Sequence, residues 1–191
     1  LTIPANVDGT HKLDKHSFHI WPRGKFMFIA MPNLDGSFTC TLFMPFEGEV
    51  SFESLQTKKD AVRFFNTYFP NVKDEIENLT EDFFKNPTSA MVTMKCYPWT
   101  YWDKVALVGD SAHAVVPFYG QGMNAGFEDI YVLDQLIQEF GDDWERIFTT
   151  YQEKRKPNAD AIAELSYRNF IEMSSKTADA NFLLQKKIEK H

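Results

Sequence analysis

Val105-Ala106-Leu107-Val108-Gly109-Asp110-Ser111-Ala112-His113-Ala114-Val115-Val116-Pro117-Phe118-Tyr119-Gly120-Gln121-Gly122-Met123-Asn124-Ala125-Gly126-Phe127-Glu128-Asp129 is the stretch on which the fold turns. Lys104 to Val108 is a short apolar run of the kind that forms a buried strand. Such a strand delivers Gly109 and Asp110 to its C-terminal end, where open α/β sheets hold ligands. A carboxylate there can accept hydrogen bonds from ligand hydroxyls such as those of a sugar. Gly120, Gly122 and Gly126 let the backbone come close to a ligand. A helix beginning near Met123 or Asn124 offers unpaired N–H groups and a positive dipole end, worth roughly 0.3–1 kcal/mol to an anionic ligand edge. Taken singly, Gly-Asp after a strand is as readily a plain turn, and Gly-rich helix entries are common. Their combination within one short segment is far more specific.

Working outward, Phe18-His19-Ile20-Trp21 and Phe26-Met27-Phe28-Ile29-Ala30-Met31 are bounded by Pro22-Arg23-Gly24 and Pro32 and read as strands. Pro32-Asn33-Leu34-Asp35-Gly36 is rich in turn formers and leads into Ser37 to Met44, which predicts a hairpin. In the second strand Phe38, Cys40 and Leu42 share one face, with Thr39, Thr41 and Phe43 on the other. Thr57 with Asp60 resembles a capping box, and its helix stops at Phe69-Pro70. Short helices are expected over Asn71 to Glu77 and Thr80 to Lys85, then a strand over Ala90 to Tyr97 and an aromatic loop from Pro98 to Asp103. Beyond the central stretch, Phe127, Ile130, Leu133 and Ile137 recur at helical spacing until Gly141. A charged helix follows from about Asp143 to Lys156, Pro157 is expected to kink or restart it, and Ala159 to Met173 continues helical. Residues 176–191 read as a further solvated helix with a Lys-rich end.

Apolar residues make up 43% of the chain and charged residues 25%, ordinary usage for a globular protein. Its 18 phenylalanines imply either a large core or an aromatic-lined pocket, and composition does not choose between them. A net charge of −7 argues against a nucleic-acid partner, since phosphate binding wants a basic face. Cys40 and Cys96 lie in apolar runs without a CxxC spacing and read as buried free thiols in a reducing compartment. The longest apolar run, Phe26 to Met31, is far below the roughly 20 residues of a membrane span. His113 has no neighbours at metal-ligand spacing and reads as a structural part of its loop, and no metal is expected. Glu128 and Asp129 read as first-turn helix residues favoured there by the dipole.

The ordered combination of strand, Gly-Asp, Ala-His, Pro, Gly-x-Gly-x-Asn and helix resembles the second flavin-binding motif of the class A flavoprotein aromatic monooxygenases, the para-hydroxybenzoate hydroxylase type. The resemblance implies FAD as cofactor, with Gly109 and Asp110 at the ribityl chain and the Asp110 carboxylate on its hydroxyls. It places Pro117, Gly120, Gly122, Met123 and Asn124 along the isoalloxazine ring. Trp21 to Gly24, Phe26 to Asn33, Ser37 to Phe46, Pro117 to Asn124 and Tyr167 to Met173 are similar to the branch of that family that hydroxylates L-kynurenine. This similarity covers nearly the whole chain and fades after about residue 175. It implies a substrate site lined by Met27, Met31, Phe43, Phe118, Tyr119, Asn169 and Met173, with Asn169 on the amino-acid end of L-kynurenine. On their residue types alone, Met27, Met31 and Phe43 would be core, and Asn169 an exposed helical amide.

The reaction the resemblance implies consumes NADPH and O2 and forms 3-hydroxykynurenine through a C4a-hydroperoxyflavin. Members of that branch are cytoplasmic in bacteria and associate with the mitochondrial outer membrane in animals and fungi. The expected fold is α/β or α+β: a substrate-binding sheet with a helical insert over 1–98, the C-terminal part of a Rossmann-like FAD domain over 99–140, and a helical region over 141–191. Leu1-Thr2-Ile3-Pro4 reads like the middle of a longer sequence, and no Gly-x-Gly-x-x-Gly follows an early strand. The chain is therefore expected to be one piece of the enzyme, to need its N-terminal segment as a partner, and to bind FAD weakly or not at all alone. Two rivals stand beside this reading: another class A flavin hydroxylase or epoxidase, and a non-catalytic binding module in which Gly-Asp is only a turn.

Overall fold

The computed structural model describes residues 1–176 and 180–189, and shows a mixed α/β chain in two compact units. One unit comprises Leu1–Thr88 with Glu172–His191, the other Ser89–Ile171.

The first unit is built on a four-stranded antiparallel sheet of β1 (Thr2–Ile3), β2 (His19–Pro22), β3 (Met27–Pro32) and β4 (Phe38–Phe43), in the order β1-β4-β3-β2. The predicted hairpin joins β3 to β4. Its turn closes with Asn33 N–H donating to Ser37 O at 2.8 Å, while Asp35 Oδ1 accepts from the Ser37 N–H and hydroxyl. Gly36 adopts φ +87°, and a Cβ there would lie 2.4 Å from Gly9 O, so both conformation and space demand glycine. Register pairs Met27 with Phe43 and Ala30 with Cys40. Side-chain alternation then turns Phe28, Ala30, Phe38 and Cys40 to one face, with Leu42 packed beside them as expected.

That face meets the helix α1 (Lys58–Tyr68), which starts at the predicted capping box. Thr57 Oγ1 accepts the Asp60 N–H, and the Asp60 carboxylate accepts the Thr57 N–H. Phe64 and Phe65 of α1 and Phe69 at its end fill the space over the sheet, with Phe28 and Phe65 edge to face at 5.7 Å. In this unit Phe26, Phe28, Phe38, Phe64, Phe65 and Phe69 are core, while Phe18, Phe46 and Phe84 are exposed. The helix expected over Asn71 to Glu77 is only a 3₁₀ turn, Lys73–Glu75, because buried Val72 and Ile76 on either side pin the chain within one turn. The next helix, α2, covers Leu79–Lys85.

In the second unit, Ala90 to Tyr97 is not a strand. A strand needs ladder pairing, and no named strand includes this segment; Met94 N–H donates to Ala114 O at 2.7 Å. The run before Gly109 departs from expectation as well. It is a two-residue strand, β6 (Val105–Ala106), paired antiparallel with β5 (Thr100–Tyr101) inside the expected aromatic loop, and Val105 is exposed. Burial on both faces requires neighbouring strands, and β5 is its partner among the described residues. Next come α3 (Asp110–His113), a 3₁₀ turn at Pro117–Tyr119, α4 (Gly122–Phe140) and α5 (Trp144–Ser174).

Of the positions that announced α4, only Leu133 packs against the core of this unit. Phe127, Ile130 and Ile137 are exposed, whereas Ala125, Asp129 and Leu136 are buried. Gly126 faces the Gly109 corner, where a Cβ would make ordinary contact with Gly109 Cα at 3.7 Å. Helix α5 runs through Pro157 without a restart. Proline removes one hydrogen bond there, but Ile147, Tyr151, Arg155, Ala159 and Ala163 form a buried stripe at four-residue spacing that continues past it. The last helix, α6, covers Ala180–Glu189; the remainder of the helix expected over 176–191 lies partly outside the described residues. Among the described residues no helix is long and apolar enough to cross a membrane.

Phe65→Ala should remove about 3–5 kcal/mol of unfolding free energy, and Thr57→Ala about 1 kcal/mol. Urea titrations followed by far-UV circular dichroism would measure both.

Candidate functional site

Gly109 stands at the start of α3 with φ 57° and ψ −139°, a conformation open in practice only to glycine. Its carbonyl accepts the N–H groups of Ala112 and His113 at 2.9 and 3.0 Å, closing a tight turn. Its own N–H donates to Asp129 Oδ2 at 2.9 Å. Asp110, the first residue of α3, is exposed. Chain direction reverses again through Pro117–Tyr119 and Gly120, at φ 64°, and α4 begins at Gly122 without a side-chain cap. The first-turn N–H groups of an uncapped helix have no intrahelical acceptor. Met123 and Asn124 in that turn are exposed, and Asn124 Nδ2 donates to Gln121 Oε1 at 2.9 Å. Asp110, Pro117, Gly120, Met123 and Asn124 are exposed and Gly109 and Gly122 partly so, and one turn into α4 Gly126 lies against Gly109.

The remaining expected contacts divide between the units. Met27 and Phe43 are cross-strand partners, with Met31 on the same side of β3 by alternation; Met27 is fully buried, Phe43 half-buried and Met31 exposed. Met173 is buried in that same unit. In the other, Phe118 is buried with its ring 4.7 Å from that of Phe170, while Tyr119 is exposed. Asn169 is no solvated helical amide, since its Nδ2 donates to Phe118 O at 2.5 Å and ties α5 to the turn before α4.

Sequence reading missed what lies beneath the corner. Asp129 is not a first-turn residue; it lies about two turns into α4, beyond the reach of the dipole that was to explain it, and its side chain has no solvent exposure. Besides Gly109 N–H, it accepts His113 Nε2 at 2.5 Å on Oδ2 and Arg155 Nε at 2.7 Å on Oδ1. Arg155 Nη2 also donates to Ala125 O at 3.1 Å, and Nη1 makes an ion contact of 2.7 Å with exposed Glu128 without hydrogen-bond alignment. The only hint in the sequence was an Asp on the face that carries Ala125 and Leu136. Around this cluster, Tyr151 Oη donates to Leu107 O at 3.0 Å, and Gln152 Oε1 accepts Trp99 N–H at 2.5 Å.

Burial pushes the Asp129 carboxyl up, but hydrogen bonds from His113, Arg155 and Gly109 outweigh it and hold the group below the usual carboxylate range. Burial, reinforced by the Asp129 charge, pushes the Tyr151 phenol well above its ordinary value. The arrangement contains no nucleophile beside a base. It presents an exposed carboxylate at Asp110 and the uncapped N-terminus of α4. FAD fits this donor set: an exposed acceptor for hydroxyls, unpaired amides for an electron-rich ring edge, and Gly120 and Gly122 where the backbone must come close.

Residues 66–166 match a family model described as FAD binding domain. The chain is 73% identical over 189 residues to the kynurenine 3-monooxygenase of Christiangramia forsetii, covering 99% of this chain and 42% of that protein. It is 50% identical over 201 residues to the kynurenine 3-monooxygenase of Dictyostelium discoideum, covering 99% of this chain and 44% of the relative. The chain thus spans less than half the length of these curated relatives. Among solved structures it is similar to Pseudomonas aeruginosa PqsL in complex with 2-aminobenzoylacetate, with TM-score 0.64, 17% identity, and coverage of 96% of this chain and 49% of that one. It is also similar to Klebsiella pneumoniae HpxO complexed with FAD and uric acid, with TM-score 0.61, 17% identity, and coverage of 91% and 43%. At such identities these structures establish the fold.

Because the Asp129 carboxyl is held low in the folded state, its stabilising contribution is complete above the ordinary carboxylate value of about 3.9 and disappears as pH falls through the depressed one. Asp129→Asn should cost on the order of 3–5 kcal/mol near neutrality. The difference from the unsubstituted protein should narrow as pH drops from about 5 to below 3, measured by denaturant unfolding across that range.

Proposed function

The chain belongs to the FAD binding domain family, and on that premise we propose that the intact protein is an FAD-dependent monooxygenase that hydroxylates L-kynurenine to 3-hydroxykynurenine, consuming NADPH and O2. The observation that carries this reading is 73% identity over 189 residues to a kynurenine 3-monooxygenase, a span that includes the whole Gly109–Asn124 surface. The reaction balances with one oxygen atom entering the ring and the other leaving as water, while NADPH is oxidised to NADP⁺. When bound, FAD would supply the redox chemistry between NADPH and O2.

This chain's residues bind and orient. Asp110 accepts hydrogen bonds from ribityl hydroxyls, and the first-turn amides at Gly122, Met123 and Asn124 present donors to the electron-rich side of the ring system. Pro117 and Gly120 shape the backbone that lies along it. Asn169 serves the amino-acid end of L-kynurenine, on the turn it already ties through Phe118 O. Met27, Met31, Phe43, Phe118, Tyr119 and Met173 are the apolar contacts proposed for the substrate. Their effect is to keep water from the reacting ring.

The intact protein should purify yellow with flavin and oxidise NADPH faster when L-kynurenine is added. Asp110→Ala should lower bound flavin at least about tenfold, the loss of roughly 1.4 kcal/mol or more expected when a charge-assisted hydrogen bond is removed. A colourless protein, or stimulation by simple phenols and not by L-kynurenine, would contradict the proposal.

A further inference from the structure

We infer that Asp129, held between His113 and Arg155, is the positioning residue that sets the Gly109–Asp110 corner and the α4 N-terminus as one flavin-binding surface. The inference rests on the flavin reading above. Its starting point is how one carboxylate brackets α3. Asp129 Oδ2 takes the N–H of Gly109, the residue before the helix, and Nε2 of His113, the last residue of the helix. Since the oxygen only accepts, His113 carries its proton on Nε2. Asp110 lies between these anchors, so its backbone is fixed from both sides by a group that never meets solvent.

The other carboxylate oxygen is fixed in turn. Arg155 Nε donates to Oδ1 at 2.7 Å, and its Nη2 donates to Ala125 O on the first turns of α4. The guanidinium thus fastens the carboxylate to the backbone of the helix whose N-terminus faces the ligand. Both elements of the flavin surface are referred to one buried group. Without it, Gly109 would regain the wide conformational freedom of glycine, and the exposed Asp110 would have no fixed direction. A buried ion pair with no purpose beyond stability is a poor solution, since well-packed apolar residues serve as well or better. A positioning role accounts for its retention directly beneath the corner.

The test uses the intact protein stripped of flavin and titrated with FAD, following flavin fluorescence and the visible flavin band, at a temperature where circular dichroism shows each variant folded. Asp129→Asn should raise the FAD Kd roughly tenfold or more and alter the band shape of the flavin that binds. His113→Leu should weaken binding to a similar degree, whereas His113→Gln, which keeps a donor of similar reach, should stay within about threefold of the unsubstituted protein. If Asp129→Asn does not fold, the His113 pair decides. Binding within threefold for both Asp129→Asn and His113→Leu overturns the inference, and so does a His113→Gln as weak as His113→Leu. Asp110→Ala separates the two levels. Should the unsubstituted protein hold no FAD, or Asp110→Ala bind as well as it does, the flavin reading fails. Should Asp110→Ala lose FAD while the Asp129 and His113 variants keep it, the positioning role alone fails.

Discussion

A carboxylate without access to water dictates the local arrangement of the second unit. Moving Asp129 out of solvent costs several kcal/mol unless donors replace the lost hydration. Those donors come from three separate elements: the Gly109 corner, the end of α3 and the middle of α5. Once they converge, the corner cannot move independently of α4, and α4 cannot move independently of Arg155. Gly126 lies against Gly109, and the Ala125 carbonyl accepts from the guanidinium. Two carboxylates on this short stretch thus have opposite fates. Asp129 is buried and satisfied, and Asp110 is exposed and directed outward.

The first unit obeys a simpler rule. Strand alternation and register bring phenylalanines from β3 and β4 onto the aromatic end of α1, and edge-to-face packing fills that layer. Because α1 covers one side of the sheet, the side bearing Met27, Met31 and Phe43 is distinct from this core. That separation puts the residues proposed for the substrate on a different face of the hairpin from those that pack on α1. The period of two along a strand makes the division automatic.

Much of this was legible in the residues. Thr57 and Asp60 announced the α1 start, Pro32 to Gly36 the hairpin turn, and Gly141 the end of α4, because caps and turns are written in a few adjacent side chains. The elements that failed depend on partners distant in sequence. Ala90 to Tyr97 has strand composition but no ladder, and the apolar run before Gly109 pairs over only two residues. On α4 the bulky apolar positions drew attention while the buried face carried Ala, Asp and Leu. Only its place on the face of Ala125 and Leu136 sets Asp129 apart in sequence from its exposed neighbour Glu128; its partners Arg155 and His113 arrive from elsewhere in the chain. The turns at Gly109 and at Pro117 to Gly120 were readable for the opposite reason, since glycine and proline act through their own backbone.

The most direct test of the account is a crystal structure of the flavin-loaded intact protein. It should show the ribityl hydroxyls within hydrogen-bond distance of the Asp110 carboxylate and the first-turn amides of α4 against the ring system, over an undisturbed contact between Gly109 and Asp129. FAD bound elsewhere, with Asp110 in solvent and the α4 N-terminus facing no ligand, would contradict it.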